Sequence, residues 1–195
     1  MERRASQLIE QTREWLPADG PVFDLGSGTG HLAVGLEQAL GLEIVTADVS
    51  DMHVVGRPPI RLTDGVLTFA NDTYTATLLF FMLAYPRDAA AVLREAARVT
   101  RGPIIVVQSL YSGRLGYAWH RAREFVWTVV AFHVSKAIGY VPPGATFSMT
   151  TRRFYTDGTL RRELAAAGLR IRARERMVAP GGILVVAGLL LERDD

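Results

Sequence analysis

There is no cysteine in the 195 residues, so a disulfide framework, a thiolate metal site and thiol catalysis are all excluded. Lysine is almost as scarce. Lys136 is the single one, and the rest of the 22 basic residues are arginine, nearly balanced by 20 acidic residues. A nucleic-acid surface would want basic residues clustered on one face; the arginine excess reads instead as coding bias in a GC-rich genome, and no nucleic-acid partner is expected. The four histidines, His31, His53, His120 and His133, show no metal-ligand spacing. Long apolar runs are missing too: "FVWTVVAFHV" (125–134) and "GGILVVAGLLL" near the end fall well short of the roughly 20 residues of a membrane-spanning helix. The opening "MERRASQLIEQTREWLP" lacks the apolar centre of a signal peptide. It reads as an amphipathic helix with Leu8, Ile9, Trp15 and Leu16 inward, and a cytoplasmic location is the expectation.

What is present is enough apolar material, 49% of the residues, for one core, and the length fits a single domain over 1–195. "VFDL" is a short apolar run that breaks into glycines, the pattern of a buried strand feeding a tight turn. "HLAVGLEQALG" has helical spacing with a stop at Gly41, and "LEIVTADVS" reads as a second strand ending at Asp48. Strand, glycine turn, helix, strand is a βαβ unit with a parallel sheet and a right-handed crossover. The alternation continues through "TATLLFFMLAY", "RDAAAVLREAARVT" and "GPIIVVQSL". The chain closes with a helix, "DGTLRRELAAAG", and two strands, "LRIRARERM" and "ILVVAGLLLER", that form a hairpin around "APGG". The expected class is α/β, a doubly wound and mostly parallel sheet of seven strands with an antiparallel C-terminal strand.

The glycine turn is the place to look for a ligand, because open α/β sheets bind beyond the carboxyl ends of their strands. Gly26, Gly28 and Gly30 allow positive φ, and the free N–H groups at the helix start favour an anionic group. Spacing alone leaves two ligands open. Gly28, Gly30 and Ala33, with Asp48 further on, also fit the degenerate dinucleotide fingerprint of a nicotinamide-dependent reductase. In that register, however, the strand should run into the first glycine, and here it runs into Gly26. A short-chain reductase also wants Tyr-x-x-x-Lys, and Phe132 stands four before Lys136.

The register that fits is D-x-G-x-G-x-G, Asp24 to Gly30, and here the chain resembles the class I S-adenosylmethionine-dependent methyltransferases. The stretch "LTDGVLTFANDTYTATLLFFMLAY" is similar to a signature of the type 11 branch, which includes quinone-biosynthesis methyltransferases. Thr68 stands where that signature has proline, Thr75 where it has aspartate, and Tyr85 where it often has histidine. "FYTDGTLRRELAAAGLRIRARERMVAPGGILVVAG" resembles the closing helix and hairpin of the same family. The resemblance implies a Rossmann-like fold and S-adenosyl-L-methionine as cofactor. Gly26, Ser27, Gly28 and Gly30 would hold its methionine end, with Asp24 toward the ammonium. Asp48, with Val49 beside it, would take the ribose hydroxyls, because a carboxylate can accept from two at once. Asp64, with Gly65, would take the adenine, and Phe80 at a strand end would touch the cofactor. The implied reaction is in-line methyl transfer to a small, apolar or aromatic metabolite. Against it stand the reductase and a non-catalytic module that only binds the cofactor.

No residue type in the pattern singles out a general base. Tyr85, Tyr111, His120, His133 and Tyr140 are candidates because they fall at strand ends or in the segment that breaks the α/β rhythm. That segment, 111–153, is far longer than an ordinary connection and is expected to be a helical lid or substrate insertion after the fifth strand. Leu115, Trp119, Ala122, Val126, Val129 and Phe132 follow helical spacing, with Arg114, Arg121, Arg123 and Lys136 around them. Such a helix over 114–138 could line a hydrophobic pocket, lie on a membrane surface where a lipid-like substrate would be collected, or form a dimer contact or extra core. The sequence leaves the oligomeric state open.

Overall fold

The computed structural model describes residues 2–63, 67–111, 118, 119, 122, 126, 152–177 and 185–194. An opening helix, α1 (Glu2–Thr12), leads through a 3-10 turn at Arg13–Trp15 into β1 (Pro21–Leu25). Then come α2 (His31–Leu40), β2 (Glu43–Asp48), β3 (Ile60–Arg61) and β4 (Ala76–Phe80). After α3 (Ala89–Val99) and β5 (Ile104–Leu110), the chain closes with α4 (Asp157–Ala166), β6 (Leu169–Met177) and β7 (Val185–Arg193). The seven strands form one sheet in the order β3-β2-β1-β4-β5-β7-β6. β1 to β5 run parallel, while β7 is antiparallel to both β5 and β6 and slots between them. This is the expected fold class. The "APGG" turn of the hairpin and most of 111–153 lie outside the described residues.

Strand alternation explains why helices cover both faces. Neighbouring residues on a strand point to opposite sides, and here both sides are apolar. On β1, Val22 packs with Ile9, Ala33 and Leu36 under α1 and α2, whereas Phe23 packs with Leu79, Leu93 and Leu160 under α3 and α4. Leu78 and Leu79 on β4, and Ile105 and Ile104 on β5, divide the same way. A strand buried on both faces reads as a continuous apolar run, which is what "IIVV" in β5 is.

Two helices start at side-chain caps. Asp88 caps α3 by accepting from the Ala91 N–H at 2.9 Å, and Thr156 with Thr159 forms a capping box on α4. α2 has no side-chain cap; its N-cap is Gly30, in the left-handed region at φ 81°. Its first-turn N–H groups are therefore left without a side-chain acceptor at the end of the glycine turn.

Two expectations are corrected. β3, a two-residue edge strand after Pro58 and Pro59, was not legible, since two residues carry no periodicity; a short edge strand beside prolines limits open pairing. The fourth strand stops at Phe80 rather than running to Tyr85, because Phe81 turns into the left-handed region at φ 59°. In the 111–153 segment, the described members of the apolar stripe do not pack inward: Trp119 is 65% and Val126 53% exposed. Among the described residues no helix is long and apolar enough to cross a membrane.

Phe23 is the hinge of the packing beneath the β4 approach. Its ring stacks on Tyr74 at 4.6 Å, and Phe69 meets both edge-on at 5.4 and 5.3 Å. Phe23→Ala is expected to cost about 3–5 kcal/mol, read as a lower urea midpoint; an unchanged midpoint would show that this cluster is not part of the core's stability.

Candidate functional site

A cavity of about 580 Å³ opens at the carboxyl ends of the parallel strands. Leu25, Gly26 and Gly28 line it from the end of β1, and Asp48, Val49 and Met52 from the end of β2. Beyond β4 it meets Phe80, Phe81, Met82 and Tyr85. Leu62, Leu67, Val92 and Glu95 bound it toward α3, and Arg152 enters from the residues that precede α4. The wall is mostly apolar, with few polar groups, as small-molecule sites usually are.

The glycine turn is bare for two reasons. At Gly26, φ is 83° and an added Cβ would lie 2.8 Å from Cβ of Met82, so only glycine lets the β4 loop close against β1. At Gly28 an added Cβ would meet nothing within 4 Å; its backbone faces open space and is held from behind. The Gly28 N–H donates to Oδ2 of Asp48 at 3.0 Å. The N–H groups of Gly26 and Ser27 both donate to the Ala47 carbonyl, at 2.8 and 3.3 Å. Oδ1 of Asp48 accepts from the Ser50 N–H at 3.2 Å. The end of β2 thus ties the turn into one shape.

Five of the residues expected to hold the cofactor come together on this wall: Gly26, Gly28, Asp48, Val49 and Phe80. Three stand away from it. Asp24 is 1% exposed and is not among the residues that line the cavity. Ser27 bonds through Oγ to Nε2 of His53 at 2.8 Å. An added Cβ on Gly30 would sit 2.4 Å from the Val55 carbonyl. Ser27 and Gly30 therefore answer to the 53–57 loop packed over the turn, whose hold is extended by Nδ1 of His53 at the Arg57 carbonyl. Asp64 and Gly65 lie outside the described residues.

Of the candidate bases, Tyr85 is on the wall. Tyr111 is not: its N–H donates to the Tyr155 carbonyl at 2.8 Å and its ring meets Phe154 edge-on at 5.3 Å. His120, His133 and Tyr140 lie outside the described residues. Among the described residues no three His, Asp or Glu side chains converge on a metal site.

Sequence reasoning missed Met52, Met82, Glu95 and Arg152, and of the pair Phe80 and Phe81, taken to alternate on the strand, it assigned only Phe80 to the cofactor. Phe81 joins Phe80 on the wall instead of alternating with it, since its N–H still reaches the Val107 carbonyl at 2.7 Å while its backbone turns. Met82 had a signal in principle, because a glycine with positive φ after a strand implies a close neighbour. Glu95 had none; it matters because it clasps a loop. Its oxygens take Nε and an NH2 of Arg98, each at 2.9 Å, and Arg98 also donates to the Leu67 and Phe69 carbonyls at 3.0 and 2.8 Å. The Arg98 hydrogen bond holds the Glu95 carboxyl below its usual range.

Asp24 is the strongest electrostatic anomaly. Its Oδ2 is buried without a hydrogen-bond partner, and burial first, then the charge of Asp48, pushes its carboxyl from 3.8 up to about 7. The folded state then holds a proton that the unfolded chain has released between those two values, so stability falls as pH rises through that window. Wild type should lose stability relative to Asp24→Asn from about pH 4 to about pH 7 and no further above it. Urea melts across that range check this; a wild-type-minus-variant difference independent of pH would refute it.

A model of the family described as "Methyltransferase domain" matches residues 1–174. No curated protein sequence matches the chain. Solved structures agree in fold. A Bacillus halodurans protein described as a methyltransferase superposes with a TM-score of 0.68 at 11% identity, covering 97% of this chain and 98% of its own. An S-adenosylmethionine-dependent methyltransferase of Methanosarcina mazei gives 0.62 at 11% identity, covering 94% and 96%. Magnesium protoporphyrin IX methyltransferase of Synechocystis, solved with S-adenosylhomocysteine bound, gives 0.59 at 16% identity, covering 97% and 82%. Such identities speak for the fold alone, but the family match spans most of the sequence: the chain belongs to the methyltransferase domain family, on the class I methyltransferase fold.

Proposed function

We propose that this chain is a methyltransferase that uses S-adenosyl-L-methionine to methylate a small, hydrophobic or aromatic metabolite, in the type 11 branch that its β4 approach resembles. It acts as a single domain whose 111–153 segment covers the substrate side. The observation that carries the reading is the joint placement of the bare Gly26–Gly28 turn and the Asp48 carboxylate on one mostly apolar cavity.

The residues fit that cofactor. Within the protein, Oδ2 of Asp48 accepts from Gly28 and Oδ1 from the N–H and, at 3.5 Å, the Oγ of Ser50; a carboxylate has about four such sites, so Oδ2 keeps acceptor capacity for a ribose hydroxyl, with Val49 beside it. The open space at Gly28 and the uncapped start of α2 suit a carboxylate. Asp24 favours an ammonium through its unpaired and buried Oδ2; a cation near it would lower its pKa again. Phe80 offers a ring face, and Asp64 with Gly65 is assigned to the adenine by resemblance.

The cofactor supplies a methyl group on a cationic sulfur, which becomes neutral on transfer. The protein's part is to align the acceptor with that methyl, a contribution worth several kcal/mol when orientation is good. Phe80, Phe81, Met82 and Tyr85 give the β4 side of the cavity a largely apolar lining. Tyr85 is the candidate base left on the wall, and its ring could add a cation–π contribution of about 1 kcal/mol.

Family membership argues against a nicotinamide-dependent reductase. A cofactor-binding module without catalysis differs only in turnover. Calorimetry decides the first point: wild type should bind S-adenosylhomocysteine and not NADPH, and Asp48→Ala should weaken S-adenosylhomocysteine by about tenfold or more through loss of its charged hydrogen bonds. Binding of NADPH in place of S-adenosylhomocysteine would overturn the reading.

A further inference from the structure

Three charged residues stand on the cavity wall among the described residues: Asp48, Glu95 and Arg152. Two have partners. Asp48 accepts from Gly28 and Ser50, and Glu95 is held by Arg98 and reached by the Leu67 N–H at 3.4 Å. Arg152 has no acidic partner among the described residues, although seven other arginines, Arg57, Arg98, Arg153, Arg161, Arg170, Arg174 and Arg193, have one.

The backbone places Arg152 firmly. Its N–H and that of Arg153 both donate to the Ala84 carbonyl, at 2.9 and 3.1 Å. Arg153 is committed elsewhere, to the Arg87 carbonyl at 2.7 Å and to Glu163 at 3.4 Å. Two residues on, the buried Tyr155 hydroxyl donates to the Leu83 carbonyl at 3.2 Å. Residues 152–155 are thus strapped across the loop that follows β4, the loop that also carries Phe81, Met82 and Tyr85. β4 and β2 flank β1 on opposite sides, so Arg152 and Asp48 enter the cavity from opposite flanks of the glycine turn.

An exposed arginine bordering an apolar wall, with no acidic partner among the described residues, suits an anion: a guanidinium binds carboxylate, sulfonate or phosphate in a fixed fork. We propose that Arg152 recognises an anionic group on the methyl acceptor, so that the substrate class is an apolar or aromatic acid rather than a neutral apolar molecule. This rests on the methyltransferase reading of the cavity and adds to it the acceptor's charge.

The test uses two fluorescent probes with one ring system, 1-anilinonaphthalene-8-sulfonate and neutral N-phenyl-1-naphthylamine, titrated into protein saturated with S-adenosylhomocysteine. Wild type should favour the sulfonate by about tenfold. Arg152→Gln and Arg152→Glu should abolish that preference while leaving the neutral probe's affinity, the thermal midpoint and the S-adenosylhomocysteine affinity unchanged. A preference that survives Arg152→Glu, or no preference in wild type, overturns the proposal. Loss of S-adenosylhomocysteine affinity in Arg152→Gln overturns it too, because the guanidinium would then serve the cofactor's own carboxylate. Failure of wild type to bind S-adenosylhomocysteine at all would instead strike the cofactor reading, while the sulfonate preference of the unliganded protein still reports on Arg152.

Discussion

The site depends on one hydrogen bond, from the Gly28 N–H to Oδ2 of Asp48. It joins the turn after β1 to the end of β2, and the Ala47 carbonyl reinforces it through Gly26 and Ser27. Because β1 and β2 are parallel neighbours in register from Pro21 with Glu43 to Leu25 with Ala47, the turn and the carboxylate arrive together without any long-range adjustment. A charge-assisted bond of this kind is stronger than a neutral one, and it spends only part of the carboxylate's acceptor capacity. The same group can therefore shape the turn and still face a ligand.

The neighbourhood of the turn has an electrostatic consequence. Burial first, and then the nearby Asp48 carboxylate, make ionisation of Asp24 costly. The turn is bounded by one acid that is committed and one that is held close to neutral. That arrangement favours a cation in front of the turn, since it would let Asp24 ionise at lower pH. A neutral asparagine at position 24 would give the same packing without that response.

Much of this was legible because the central strands obey simple rules. "VFDL" and "IIVV" are mostly apolar runs in the middle of a sheet covered on both sides; Gly26 follows from where the first of them ends, and Asp48 from where "EIVTAD" ends. What was not legible depends on contacts between distant segments. Ser27 and Gly30 look like ligand residues by spacing, but they face His53 and Val55, and no local pattern announces that the 53–57 loop folds back over the turn. Phe81 looked like an ordinary strand residue because a positive φ at a bulky side chain is uncommon. Glu95 has helical spacing on α3 and an i,i+3 arginine, which reads as a solvated pair, whereas its neighbours in space are Leu67 and the cavity.

The same comparison explains why Arg152 carries more weight than the other arginines. In an arginine-rich chain a surface guanidinium is unremarkable, and its neighbours show the usual solutions: Arg161 pairs one turn back with Asp157, and Arg193 reaches Asp72 across the fold. Exposed pairs of that kind add little stability, so their absence elsewhere would mean nothing. What sets Arg152 apart is its place: exposed to solvent, it borders a cavity whose wall is mostly apolar. Of the acids on the wall, Glu95 is ion-paired with Arg98, whereas Asp48 is held by neutral donors of Gly28 and Ser50. The anionic group proposed for the acceptor would therefore answer to Arg152, on the flank of the turn opposite Asp48.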